Sequence, residues 1–178
     1  TSNAWFSVGV EWNCGVFGHH GLTCEPLFTA VLKDESGEPV LRMYEYERIR
    51  SVVYQMDFTL PEGAAFLQCR MRIENFDEET KPIYWWSNIA IPEIYGARVI
   101  VPADETYTHD DDGYFTKLST PYRDGTDITY PPNQIITRDT FWKTRKDKRK
   151  YKCQTDKDGS GTAHYTHHRA HATRGKTV

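Results

Sequence analysis

Residues 52–73 read VVYQMDFTLPEGAAFLQCRMRI, and this stretch carries the clearest structural signal in the chain. Apolar and polar side chains alternate on both sides of Pro61-Glu62-Gly63, as they do in strands that bury one face. Proline and glycine at the centre favour a tight turn. The pattern therefore predicts an antiparallel hairpin of strands 52–60 and 65–73. Its buried face is expected to hold Val52, Tyr54, Met56, Phe58, Leu67, Cys69, Met71 and Ile73.

Four further strand candidates lie over residues 27–33, 40–46, 83–91 and 97–101. No segment has the 3.6-residue apolar stripe of an amphipathic helix. Residues 102–140 are rich in turn clusters, and we expect them to form an irregular connection. The sequence therefore predicts an all-β chain, an antiparallel β-sandwich with few helices.

The 178 residues are 38% hydrophobic, which suits one packed domain, and no apolar run is long enough to span a membrane. We predict a domain over residues 1–161. Residues 162–178 are expected to form a basic, His-rich and loosely ordered tail, because they hold too few apolar side chains to offset the entropy of folding.

The charge is distributed unevenly along the chain. From Arg138 to the end there are 12 Lys and Arg against 4 Asp, whereas residues 1–137 hold 10 basic and 21 acidic residues. Such a step is found in basic tails that contact nucleic acid and also in solvated basic edges. The solvated edge is the favoured interpretation, so nucleic acid ranks last among the expected partners.

The cysteines, at Cys14, Cys24, Cys69 and Cys153, form no Cys-x-x-Cys pair and are too sparse for a disulfide scaffold. With no signal-peptide pattern at the first residues, we expect reduced thiols and a cytoplasmic protein. Residues 156–161 resemble the start of a calcium loop, but a strand-to-strand turn is favoured because position twelve is His167, not Glu. Neither a metal ion nor another cofactor is expected.

Two blocks combine the side-chain types that sugar sites use. The first contains Glu11-Trp12-Asn13 and His19-His20, which pair a carboxylate with titratable rings, an indole and an amide. The second is Tyr84-Trp85-Trp86-Ser87-Asn88, in which Trp86 and Asn88 share one face of a strand. The alternatives are loop histidines bonded to backbone carbonyls and tryptophans buried in a sandwich core.

These two blocks, together with the run from Val101 to Tyr107, resemble a bacterial domain of unknown function. That domain often precedes tetratricopeptide repeats in carbohydrate-processing proteins and is similar in fold to the galactose mutarotase-like supersandwich, which binds sugars. Aldose mutarotases carry a catalytic His in a His-x-Tyr-Phe-Asn strand. This chain has Tyr84 at the His position and agrees only at Asn88, so the resemblance does not imply plain aldose epimerisation.

The leading interpretation is a carbohydrate-binding domain of a carbohydrate-active protein, with a mono- or oligosaccharide as partner and glycoside processing as its enzymatic form. The alternative is a non-catalytic carbohydrate-binding or scaffolding module. Candidate catalytic residues are Glu11, His19 and His20, and candidate substrate-binding residues are Trp12, Asn13, Trp86 and Asn88. A glycosidase needs a second carboxyl group, for which Glu93 and Asp104 are the candidates.

Overall fold

A computed structural model describes residues 10–14, 25–91, 94–110, 112–134, 139–145 and 150–165, without the side chains of 164 and 165. The chain divides into two compact units, Thr1–Ile91 (unit 1) and Pro92–Val178 (unit 2). The predicted domain of residues 1–161 spans both. Within the described ranges no helix is long and apolar enough to cross a membrane.

Unit 1 contains six described strands in two antiparallel sheets. Four of them form a sheet in the order β2-β3-β4-β5, and the other two pair as β1-β6. The strands are β1 (Val10–Cys14), β2 (Phe28–Lys33), β3 (Pro39–Glu47), β4 (Val52–Thr59), β5 (Gln68–Glu74) and β6 (Trp85–Ile89).

The core of unit 1 lies where the two sheets meet. Cys14 of β1 is buried together with Val52, Tyr54 and Met56 of β4, and Trp85 of β6 packs against this cluster. Alternation along β4 explains the arrangement, because every second side chain points to the same face. The predicted all-β sandwich architecture is confirmed.

The hairpin predicted over residues 52–73 is present, with β4 and β5 paired antiparallel. Tyr54 is opposite Ile73, and Met56 is opposite Met71. The connection is longer than predicted, because β4 ends at Thr59 and β5 begins at Gln68. Two residues of the predicted buried face were wrong: Leu67 is 65% exposed and Cys69 is exposed. Both lie at the turn end of the hairpin, beyond the buried cluster on β4.

A buried acidic side chain holds the turn between β3 and β4. The carboxylate of Glu47, only 3% exposed, accepts hydrogen bonds from the backbone N–H groups of Ile49 (2.8 Å) and Arg50 (2.6 Å). These bonds compensate for its loss of water, as burial of a charged group requires.

Unit 2 contains eight described strands in three small antiparallel sheets, ordered β12-β8-β9, β14-β13-β7 and β10-β11. The strands are β7 (Arg98–Ile100), β8 (Ala103–His109), β9 (Phe115–Ser119), β10 (Tyr122–Arg123), β11 (Thr126–Asp127), β12 (Phe141–Thr144), β13 (Tyr151–Thr155) and β14 (Gly161–Tyr165). Residues 102–140 were therefore wrongly expected to be irregular. Their strands are short and rich in Thr and charged residues, so alternation of apolar side chains does not reveal them.

Residues 156–160 form the turn that was favoured over a calcium loop. They connect β13 to β14, which pair from Tyr151 opposite Tyr165 to Thr155 opposite Gly161. Asp158 accepts hydrogen bonds from the backbone N–H and the hydroxyl of Ser160, so its carboxylate stabilises the turn. The predicted tail thus begins inside β14, and its residues 166–178 lie outside the described residues.

Candidate functional site

Pairing of β1 with β6 brings the two candidate blocks together. Glu11 is directly opposite Asn88, and Asn13 is directly opposite Trp86. Residues that face each other across an antiparallel pair project to the same side, as do residues two apart on one strand. Four of the predicted site residues therefore share one face of the β1-β6 pair, called here the outer face.

The four residues differ in exposure. Asn88 is exposed, Trp86 is half-buried, and Glu11 is only 8% exposed. Asn13 is fully buried, so its amide is not available to a ligand. On the outer face, Trp86 and Asn88 are therefore the side chains that a ligand could contact directly. Glu11 is accessible only at its edge.

The opposite face of the pair belongs to the core. Trp12 packs edge-on against Phe58 of β4, with ring centroids 5.7 Å apart, and Cys14 is completely buried. Burial, with a smaller contribution from the nearby Glu47, raises the pKa of the Cys14 thiol to about 12. Trp12, predicted as a sugar-stacking residue, thus has a packing role, as does Trp85.

A cavity of about 280 Å³ lies in unit 1. Its lining includes Glu11 and Trp12 of β1, Tyr54 and Met56 of β4, and the segment Glu25-Pro26-Leu27 before β2. Its volume is close to the lower end of the range for small-molecule sites. It also borders both an aromatic ring and two carboxyl-bearing residues, a combination suited to a single sugar unit.

Glu25 is the residue that sequence reasoning missed. It is exposed, precedes a strand and belongs to no motif, so no local pattern marks it. Its relation to Glu11 arises because β1 and the segment before β2 border one cavity. A search for acidic residues flanking predicted strands would have included it only among many others.

The remaining sequence candidates are His19, His20, Glu93 and Asp104. His19, His20 and Glu93 lie outside the described residues. Asp104 is in unit 2, where its exposed carboxylate lies 3.6 Å from the guanidinium of Arg145. Among the side chains that the structure describes, no group of three His, Cys, Asp or Glu could hold a metal ion.

Comparison with known proteins gives a family and no function. No curated protein and no solved structure matches the chain. A family model described as a domain of unknown function, DUF5107, matches residues 1–176, nearly the whole sequence. The chain therefore belongs to the DUF5107 family.

Proposed function

We propose that this chain is a carbohydrate-binding domain and that the β1-β6 pair of unit 1 carries its sugar site. The observation behind the proposal is the β1-β6 register, which puts Glu11 opposite Asn88 and Asn13 opposite Trp86. A sugar presents hydroxyl groups that both donate and accept hydrogen bonds, together with an apolar ring face. A carboxylate, an amide and a half-exposed indole match these groups.

The cavity beside β1 adds a concave surface next to Glu11, although Trp86 and Asn88 do not line it. It borders Glu11 and Trp12, so one strand contributes both to the cavity lining and to the outer face. Small-molecule sites typically combine apolar walls with a few polar groups, which is the composition of this lining. The expected ligand is a mono- or oligosaccharide.

The resemblance to the galactose mutarotase-like supersandwich belongs to the same proposal. An all-β sandwich supports it at the level of fold class. We extend the proposal to a bacterial, cytoplasmic protein in which this domain accompanies tetratricopeptide repeats. Neither part of that extension is needed for the sugar site.

Glycoside hydrolysis is the second candidate function, and one observation favours it. Hydrolysis requires two carboxyl groups on either side of the scissile bond. Glu11 and Glu25 border the same cavity, so unit 1 contains a candidate pair without Glu93 or Asp104. Glu11 is nearly buried and Glu25 is exposed.

A binding experiment tests the leading proposal. Trp86→Ala and Asn88→Ala should each weaken binding of a monosaccharide and oligosaccharide panel by about tenfold or more, measured by calorimetry. Phe28→Ala is the control, because Phe28 is an exposed ring stacked on Tyr44 in the other sheet of unit 1. Unchanged affinity in both site variants, or no binding by the wild type, would refute the proposal.

A turnover experiment tests the second candidate. Glu11→Gln and Glu25→Gln should each abolish release of reducing sugar while leaving binding within a few-fold. Glu35→Gln is the control, because Glu35 lies in the exposed turn between β2 and β3. Binding without any turnover by the wild type would identify the domain as a non-catalytic module.

A further inference from the structure

The sheet β12-β8-β9 of unit 2 has one buried and one exposed face. Thr106 and Thr108 of the central strand β8 are buried. Because side chains alternate along a strand, Glu105, Tyr107 and His109 project to the other side. On that side the register places Phe141 and Lys117 opposite Tyr107, and Phe115 opposite His109. We call this the aromatic face, and its members are Glu105, Tyr107, His109, Phe115, Lys117, Phe141 and Lys143.

The rings of the aromatic face form one connected group that is open to solvent. Phe115 stacks nearly parallel to Tyr107 with centroids 5.3 Å apart, and it meets Phe141 edge-on at 5.5 Å. Phe115 remains 55% exposed and Phe141 50% exposed. Exposed, contiguous aromatic surface is unusual in a soluble domain and is typical of a contact site.

A charged group lies beside these rings. The carboxylate of Glu105 contacts the ammonium of Lys117 at 2.5 Å and that of Lys143 at 2.8 Å. Hydrogen bonds from both lysines lower the pKa of Glu105 to about 2, so it stays ionised at physiological pH. The aromatic face therefore offers two ammonium donors and a carboxylate acceptor next to apolar rings.

We propose that the aromatic face of β12-β8-β9 is a second carbohydrate-contact surface, which takes a segment of a polysaccharide chain across the strands. The proposal extends the proposed function and shares its ligand class with the site in unit 1. Three strands span about 10 Å, enough for more than one sugar ring. Rings of the chain would pack on Phe115 and Phe141, and hydroxyl groups would bond to the lysines and to Glu105.

Glu105 is the reason for preferring a sugar to a single-stranded nucleic acid. Nucleic-acid surfaces also combine aromatic rings with lysines, and β12 lies in the basic part of the sequence. A phosphodiester, however, only accepts hydrogen bonds, and the Glu105 carboxylate would repel it and compete for both lysines. A hydroxyl group both donates and accepts, so it can use the carboxylate and the lysines together.

Affinity electrophoresis of the full chain tests the proposal. Gels would contain a soluble β-glucan, a xylan, a mannan or a galactan. At least one should retard the wild type, and the double variant Phe115→Ala/Phe141→Ala should lose that retardation by about tenfold or more in apparent affinity. Lys117→Met removes one ammonium group and keeps the rings, and it should also weaken the retardation. Phe28→Ala, of similar exposure but on another sheet, should bind like the wild type.

The variant Glu105→Gln distinguishes a polysaccharide ligand from a nucleic-acid ligand. For a polysaccharide it should weaken binding several-fold, because the lysines lose the charge that holds them. For an oligo(dT) 20-mer it should strengthen binding, with a steep dependence on salt. Stronger oligonucleotide binding together with no polysaccharide retardation would overturn the proposal, as would full retardation of the double variant.

Different results would refute the proposed site in unit 1 and the proposed aromatic face. If Trp86→Ala abolishes binding of small sugars while the Phe115/Phe141 double variant keeps polysaccharide retardation, the second surface is refuted and the site in unit 1 stands. If the double variant loses retardation while Trp86→Ala and Asn88→Ala change nothing, the aromatic face stands and the site in unit 1 is refuted.

Discussion

Units 1 and 2 are both built from antiparallel strands, but different forces stabilise them. The buried cluster of unit 1 is apolar, with Val52, Tyr54, Met56 and Cys14 all at most 3% exposed. In the described part of unit 2 the buried residues are Thr106, Thr108, Thr129, Ala97 and Ile128. Unit 1 also buries Glu11, Asn13 and Glu47, but its apolar cluster makes it depend mainly on packing between two sheets. The described part of unit 2 depends more on buried hydroxyl groups that need hydrogen-bond partners.

The hydroxyl groups of unit 2 have such partners. Thr108 donates to the backbone carbonyl of Asp139 at 2.7 Å, which ties β8 to the segment before β12. Thr129 donates to the carboxylate of Asp127 at 2.6 Å. A net hydrogen bond contributes about 1 kcal/mol, less than the burial of one large apolar side chain. The comparison therefore predicts larger mutational losses in unit 1.

Met56→Ala should have the largest effect. Met56 is 3% exposed at the centre of the unit 1 cluster, and truncation of a buried Met costs about 2–5 kcal/mol. The free energy of unfolding from urea titration measures the loss. Met71→Ala, at the half-buried partner of Met56 on β5, should cost clearly less. A loss below about 1 kcal/mol for Met56→Ala would contradict the view that packing stabilises unit 1.

Alkaline pH should weaken unit 1 through Cys14. Its pKa rises from 9.0 to about 12 in the folded state, so the folded thiol keeps a proton that the unfolded thiol releases. Stability is fully present below pH 9 and falls as the pH rises toward 12, by on the order of a few kcal/mol. Burial also raises the pKa of Tyr54, so this group too lowers the stability of unit 1 at alkaline pH.

Urea titrations at pH 8, 9 and 10 measure this effect. Cys14→Ala should flatten the decline in stability, whereas Cys153→Ala, at a half-buried thiol of unit 2, should change it less. An equally steep decline in the Cys14→Ala variant would assign the alkaline effect to other groups.

Thr108→Val tests the hydrogen-bonded character of unit 2. The substitution keeps the volume but removes the bond to the Asp139 carbonyl, and it should cost about 1–2 kcal/mol of unfolding free energy. Thr106→Val is the matched control, because Thr106 is equally buried but its hydroxyl reaches the Leu118 carbonyl only at 3.5 Å. Equal losses in the two variants would show that the short hydrogen bond is not what matters.

Arg42→Lys should have the smallest effect of the four. Arg42 forms two parallel bonds to Asp57 across β3 and β4, at 2.6 and 2.8 Å, on the sheet face away from the cluster. Lysine keeps the charge but cannot form the paired geometry, so the loss should be about 0.5–1 kcal/mol by urea titration. A loss as large as that of Met56→Ala would contradict the assignment of stability to packing.

Local patterns were sufficient for strands β2 to β6 of unit 1, whereas β1 was not predicted as a strand. The alternation in residues 52–60 predicts both β4 and its buried face, because a side-chain period of two leaves one register that buries Tyr54 and Met56. The same reasoning failed for residues 102–140, where Thr106 and Thr108 are buried through hydrogen bonds and do not look apolar. It also failed at Leu67, whose exposure depends on how far the covering sheet extends.

The residue types of the proposed sugar site were readable from the sequence, but their arrangement was not. Glu11 and Asn88 are 77 positions apart, and no local pattern encodes which distant strands will pair. The β1-β6 register makes them neighbours, sends Trp12 to the core and buries Asn13. Glu25 and the aromatic face become visible only in three dimensions. Cavities and cross-strand clusters form from long-range packing, whereas alternation and turn chemistry act over a few residues.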